Sequence, residues 1–108
     1  MALAKNKSYT VYIGLVCFGC DLPENKKHAS LHHHVSDGSH ISVKLWLQQK
    51  MDEVKSNYSN RVTRDIKWRK VGLDHWKLSY IDCGVKNSKT PPYHVKEYYD
   101  FQIKKVVL

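Results

Sequence analysis

The chain lacks most of the features that announce a function. No apolar run approaches the roughly 18 residues that a membrane-spanning helix needs. The best run, Tyr9 to Phe18, is short and contains Tyr and Thr. It follows Lys5 and Lys7, yet no small-x-small cleavage site comes after it, so it does not read as a signal peptide. There is no internal repeat and no low-complexity tract. There is no Gly-rich phosphate loop, no Ser elbow and no pair of catalytic carboxylates, which removes the common nucleotide-hydrolysing, acyl-transfer and glycosidase signatures. Cysteine is scarce and odd in number, three in all, which argues against a disulfide scaffold and for a reducing compartment, cytoplasm or nucleus.

What is present is a compact, basic composition. The chain has 108 residues, the length of a single domain over 1–108. Hydrophobic residues make up 42%, and three Trp and seven Tyr give it the means to build a packed core. The formal charge is +8, and it is uneven. Residues 1–60 hold seven Lys or Arg against five acids, whereas 61–108 hold eleven against five. All three arginines, Arg61, Arg64 and Arg69, fall within nine residues. Such a balance favours a polyanionic partner, against the plainer reading of a well-solvated surface.

Periodicity gives the fold class. Ser8 to Phe18 is rich in Tyr, Thr, Val and Ile with both faces apolar, as in a central strand, and Gly14 within it marks a bulge or a close approach. His28 to His34 fits either a short strand pairing back on the first or one helical turn. Ser39 is the expected N-cap of a helix over about 40–58, with Val43, Leu47, Met51, Val54 and Tyr58 on one face. Val62, Ile66 and Trp68, then Trp76, Leu78 and Tyr80, alternate with polar residues on either side of a Gly-containing turn, a hairpin pattern. Tyr99, Phe101 and Ile103 alternate with Asp100, Gln102 and Lys104 in a last strand. The expectation is an α+β domain: an antiparallel sheet of about four strands, in the order β-α-β-β-β, with one long helix packed on one face.

A helix followed by three meandering strands resembles the cystatins in outline. The turn that carries their Gln-x-Val-x-Gly signature reads Arg69-Lys70-Val71-Gly72 here, so the resemblance does not extend to protease inhibition.

Two constellations carry chemistry. Cys17-Phe18-Gly19-Cys20 is a Cys-x-x-Cys, and His28 and His32 follow at i, i+4. Cys17, Cys20, His28 and His32 together make a Cys2His2 set that suits tetrahedral zinc as a structural element. The spacer between Cys20 and His28 is shorter than in a DNA-reading finger, and the competing reading is a buried cysteine beside a solvated His tract. The second constellation is the basic hairpin. Arg61, Arg64, Lys67, Arg69, Lys70 and Lys77 surround Trp68 and Trp76. With the tryptophans turned to the helix, Lys67, Arg69, His75 and Lys77 project from the opposite face, together with Lys104. An open sheet face carrying cations is suited to tracking a phosphate backbone.

Enzymatic readings are weaker. His32-His33-His34 with Tyr98 or Tyr99 resembles the metal-held His-x-His and nucleophilic Tyr of rolling-circle nickases, though the order of elements differs. Cys17 or Cys20 with His75 would make a thiolate–imidazole pair, with no orienting Asn or Asp evident. The expectation is therefore a non-enzymatic binding module, of the compact basic kind common among viral accessory proteins. It would bind RNA or single strands through the hairpin. The alternative is a protein-interaction domain, stiffened by zinc, that docks an apolar patch or pairs, even with its own copy, through strand 99–108. No membrane partner is implied.

Overall fold

A computed structural model describes residues 9–21, 27–56, 61–87 and 94–108. Five strands and one helix follow one another as β1 (Thr10–Asp21), β2 (Lys27–Asp37), α1 (His40–Ser56), β3 (Arg61–Gly72), β4 (His75–Val85) and β5 (Val95–Val107). All strand pairings are antiparallel, and the sheet order is β2-β1-β5-β4-β3. The class is α+β, as the periodicity predicts, with five strands where about four are expected. The ambiguous His28–His34 stretch accounts for the difference. It lies in a full strand hydrogen-bonded to β1.

The order of strands corrects a second expectation. β5 is the central strand, paired with β1 on one side and β4 on the other, so Tyr99 to Ile103 offers no free edge. Beyond Ile103 it still pairs with β1. The edges are β2 and β3. A homodimer formed through strand 99–108 is therefore not available to most of that strand, because its main-chain donors and acceptors are already used.

α1 starts where the sequence places it. Ser39 Oγ accepts from the Ser42 amide at 3.3 Å, and Asp37 Oδ1 accepts from the Ser39 amide at 2.7 Å, so the first turn is capped twice. Val43, Leu47, Met51 and Val54 are its buried residues. Leu47, Met51 and Val54 meet Val16, Leu78, Tyr80 and Phe101 from the sheet, with Trp46, Trp68, Trp76, Tyr99 and Ile103 packed around them. Burying each such aliphatic or aromatic side chain contributes about 1.5–3 kcal/mol. Tyr58, expected on the same stripe, lies outside the described residues. Gly14 is a close approach rather than a bulge: a Cβ there would lie 2.8 Å from Trp46 Cζ3 and 3.0 Å from Val43 Cγ1. No helix among the described residues is long and apolar enough to cross a membrane.

One helix covers one face of the sheet. The other face carries no element among the described residues, and the strand registers fix what it displays.

Candidate nucleic-acid interface

Side chains alternate between faces along each strand, so a residue opposite another shares its face. Val16 opposes Phe101 and Phe101 opposes Trp76, which defines the helix side. The neighbours of these residues define the open side. One rung across it runs Arg69, Lys77, Asp100, Cys17 and Leu31, from β3 to β2. The next runs Lys67, Ser79, Tyr98 and Gly19. A third places Arg64, Ile81 and Lys96 in line.

Arg64 reaches this face through a bulge. Between Arg64 and Lys67 the register with β4 shifts by one residue, and Asp65 takes a φ of 55°. A left-handed residue is more readily Asp or Asn than most others. Strict alternation would send Arg64 and Lys67 to opposite faces, whereas the extra residue puts both on the same one. Arg64 Nη2 donates to His94 Nδ1 at 2.7 Å.

The rungs line a half-open cavity of about 390 Å³. Lys67, Arg69, Lys77 and Lys96 supply its cations, Asp21 and Asp100 its carboxylates, and Tyr98 its aromatic ring. Asp100 is engaged: His75 Nε2 lies 2.5 Å from Oδ1 and Lys77 Nζ 3.8 Å from Oδ2. Lys67, Arg69 and Lys96 have no ion-pair partner among the described residues. Lys104, opposite Ile13, extends the same face past the end of β4.

Of the six cations expected to bind nucleic acid, four share the open face: Arg64, Lys67, Arg69 and Lys77. The other two do not. Arg61 lies against Asp82, with Nε 3.2 Å from Oδ1 and Nη2 2.5 Å from Oδ2, and Asp82 also accepts from the Gly84 amide at 3.1 Å. Asp82 is 2% exposed, so Arg61 is committed to neutralising a buried charge. Lys70 opposes Trp76 on the helix side, with Nζ 5.5 Å from the ring centroid. Lys96, Tyr98 and Asp21 are the additions. The alternation of the last strand already set Asp100, Gln102 and Lys104 on one face, and carrying it back two and four residues reaches Tyr98 and Lys96.

The Cys/His set is not assembled as a knuckle. Cys17 and Cys20 both lie within β1, three residues apart, so they project from opposite faces. A Cys-x-x-Cys aims two thiolates at one ion only where a tight turn brings them together. His28 is opposite Cys20 in register, and His32 sits at the shift between Val16 and Cys17, so neither is helical. Among the described residues no group of three or more His, Cys, Asp or Glu side chains is placed to hold a metal. The His32 ring lies 6.2 Å from that of Tyr99 on the helix side, while His34 opposes Leu15 on the open side, which divides the His-x-His pair between faces. Cys17 and His75 share the open face on different rungs, with His75 held by Asp100. A different thiol and imidazole do approach each other, Cys83 Sγ lying 3.9 Å from His94 Nδ1, and Cys83 is buried.

No family model, curated protein or solved structure matches the chain.

Proposed function

We propose that this protein is a nucleic-acid-binding module that holds single-stranded RNA or DNA on the open face of its sheet. The observation that carries the reading is the convergence of Lys67, Arg69, Lys77 and Lys96 on one cavity, with three of the four lacking a carboxylate partner among the described residues. Cations gathered this way repel one another, and a phosphate backbone relieves that repulsion while releasing its own counterions. Tyr98 on the same rung as Lys67 supplies a ring on which a base stacks. A five-stranded sheet offers a surface rather than a protruding helix, which suits a flexible single strand better than the groove of a duplex.

The test is fluorescence anisotropy of a labelled single-stranded RNA and of a duplex across a salt series. With four phosphate contacts, log affinity should fall against log salt with a slope of roughly −3 for a single strand. Replacing Lys67 and Arg69 by Ala should flatten that slope by one to two ions. Absence of binding at low salt overturns the reading and turns attention to a protein partner. The candidate surface for such a partner is edge strand β3, where Val62, Ile66 and Val71 are exposed. Three register shifts interrupt the inner ladder of that strand, and such irregularity blunts an edge against further pairing.

A further inference from the structure

β5 outruns one of its neighbours. Its pairing with β4 ends at Gln102, opposite His75, where the hairpin turns at Leu73 and Asp74. Its pairing with β1 continues to Val107 without a register shift. From Lys104 to Val107 the strand is therefore bonded on one side only among the described residues. Unlike β3, whose ladder is interrupted, this stretch is regular.

The ladder fixes which main-chain groups are left over. The Leu108 amide donates to the Tyr9 carbonyl at 2.7 Å, and the Tyr9 amide donates back to the Leu108 carbonyl at 3.4 Å, so Leu108 turns toward β1. Alternation turns Val106 and Lys104 the same way, and Lys105 and Val107 away from β1. The Ile103 amide agrees with this phase, donating to the Asp74 carbonyl at 2.9 Å on the β4 side. Lys105 and Val107 thus offer N–H and C=O groups to the side where β4 has ended, and both residues are exposed. A half-open hollow of about 450 Å³ lies there, lined in part by Tyr12, His40, Leu73, Asp74 and Lys105.

We infer that this edge takes an extended, acidic peptide segment of a partner protein as an added strand. Unpaired main-chain groups are a template for another strand, and side chains set which strand. Lys104 and Lys105 are exposed and have no ion-pair partner among the described residues. Lys105, opposite Tyr12, is on the helix side, and Lys104, opposite Ile13, on the open side. A carboxylate on either face of the incoming strand therefore meets a cation. A second copy of this chain fits poorly, because it gathers four lysines around a ladder of a few residues, and like charges so placed repel. The hollow shares no lining residue with the cavity of Lys67, Arg69, Lys77 and Lys96, so the peptide and the nucleic acid are tested apart.

The experiment follows backbone amides of the full chain by NMR while a blocked peptide, Thr-Val-Glu-Glu-Val-Thr, is added. Its palindromic order removes any dependence on strand direction. The Lys105 and Val107 amides should exchange fast in the free protein, then shift and become protected. The same peptide N-methylated at both Glu residues keeps its charge and blocks both of its edges, and it should bind at least about tenfold more weakly. A peptide with Lys in place of Glu should also lose binding. Val107→Pro removes an outward donor and no bond to β1, and should weaken the acidic peptide roughly three- to tenfold while the Val106 and Leu108 amides stay protected. Absence of any change at Lys105 and Val107 overturns the inference. Equal binding of the N-methylated peptide reduces the contact to charge attraction and overturns strand addition; this arm needs no variant, so it decides even if Val107→Pro does not fold. Slow exchange of the two amides in the free monomer means that the chain fills its own edge, and protection that grows with protein concentration means that a second copy does. Either result overturns the peptide as occupant.

Discussion

Arg69 on β3 and Lys77 on β4 stand directly opposite each other on the open face of the sheet. Sheets usually pair opposite charges at such positions, and like charges there are destabilising. Lys77 has a partner across β5, since Asp100 Oδ2 is 3.8 Å from its Nζ. Asp100 is shared with His75 at 2.5 Å, and Arg69 has no carboxylate among the described residues. A cationic pair held in this register opposes the stability of the sheet, a cost that the proposed binding of a phosphate backbone would offset.

Replacing Arg69 by Gln should therefore separate the two roles. Relief of the Arg69–Lys77 repulsion should raise stability by a few tenths of a kcal/mol, within the roughly 0.2–1 kcal/mol range of cross-strand pairs. The same change should weaken binding to single-stranded RNA and reduce the salt slope by about one ion. Urea denaturation and anisotropy measured on the same preparation check both signs. A loss of stability would show that Arg69 is held by packing rather than opposed by charge.

Arg61 should behave in the opposite way. Its guanidinium neutralises Asp82, which is 2% exposed, and removing it leaves that carboxylate buried beside Glu97. Arg61→Ala should lose roughly 2–4 kcal/mol, somewhat below a fully buried pair because Arg61 itself is partly exposed. The salt slope of RNA binding should not change at temperatures where the variant is folded. Chemical denaturation beside anisotropy distinguishes this structural arginine from Arg64 and Arg69.

Gly14 should be intolerant of even one methyl group. A Cβ would lie 2.8 and 2.9 Å from two carbons of the Trp46 ring and 3.0 Å from Val43 Cγ1. Gly14→Ala forces α1 outward or the ring off its seat, at about 1–3 kcal/mol. A lower urea midpoint with a shift in tryptophan emission is the expected result.

Glu97 makes stability depend on pH in the direction opposite to an ordinary surface acid. Burial pushes its carboxyl above the usual 4.5; neighbouring Asp82 adds to this, while the Tyr80 hydroxyl, donating at 2.8 Å, and Arg61 oppose it. Above 4.5 the folded chain keeps a proton that the unfolded chain has released, so this contribution is complete below 4.5 and is lost as pH rises through the raised value. Glu97→Gln keeps an acceptor for Tyr80 and carries no charge. The stability of that variant relative to the parent should grow from pH 4.5 toward neutrality, and urea midpoints across that range measure it.

The helix and its stripe were legible because a period of 3.6 is a local property: Val43, Leu47, Met51 and Val54 need only one another's spacing to declare a face, and all four are buried. The same holds for Ser39 as cap and for the outward set Lys67, Arg69 and Lys77, since alternation is written in consecutive residues. Cys17 and Cys20 show the limit of spacing. Three residues apart, they suit a metal on a turn and oppose each other on a strand, and only hydrogen bonding of β1 to β2 and β5 decides between the two.

By itself, then, the sequence determined the class of fold, the helix, the core stripe and the presence of a basic hairpin, because each follows from local periodicity and charge. Only the tertiary structure decided that β5 lies in the middle of the sheet, that a bulge at Asp65 brings Arg64 onto the open face, that Arg61 belongs to Asp82, and that Asp21 and Tyr98 meet in one cavity. Those facts depend on which strands pair and in what register. Pairing of that kind is a global choice among backbone hydrogen bonds that every strand makes alike, so side-chain pattern along the chain does not encode it directly.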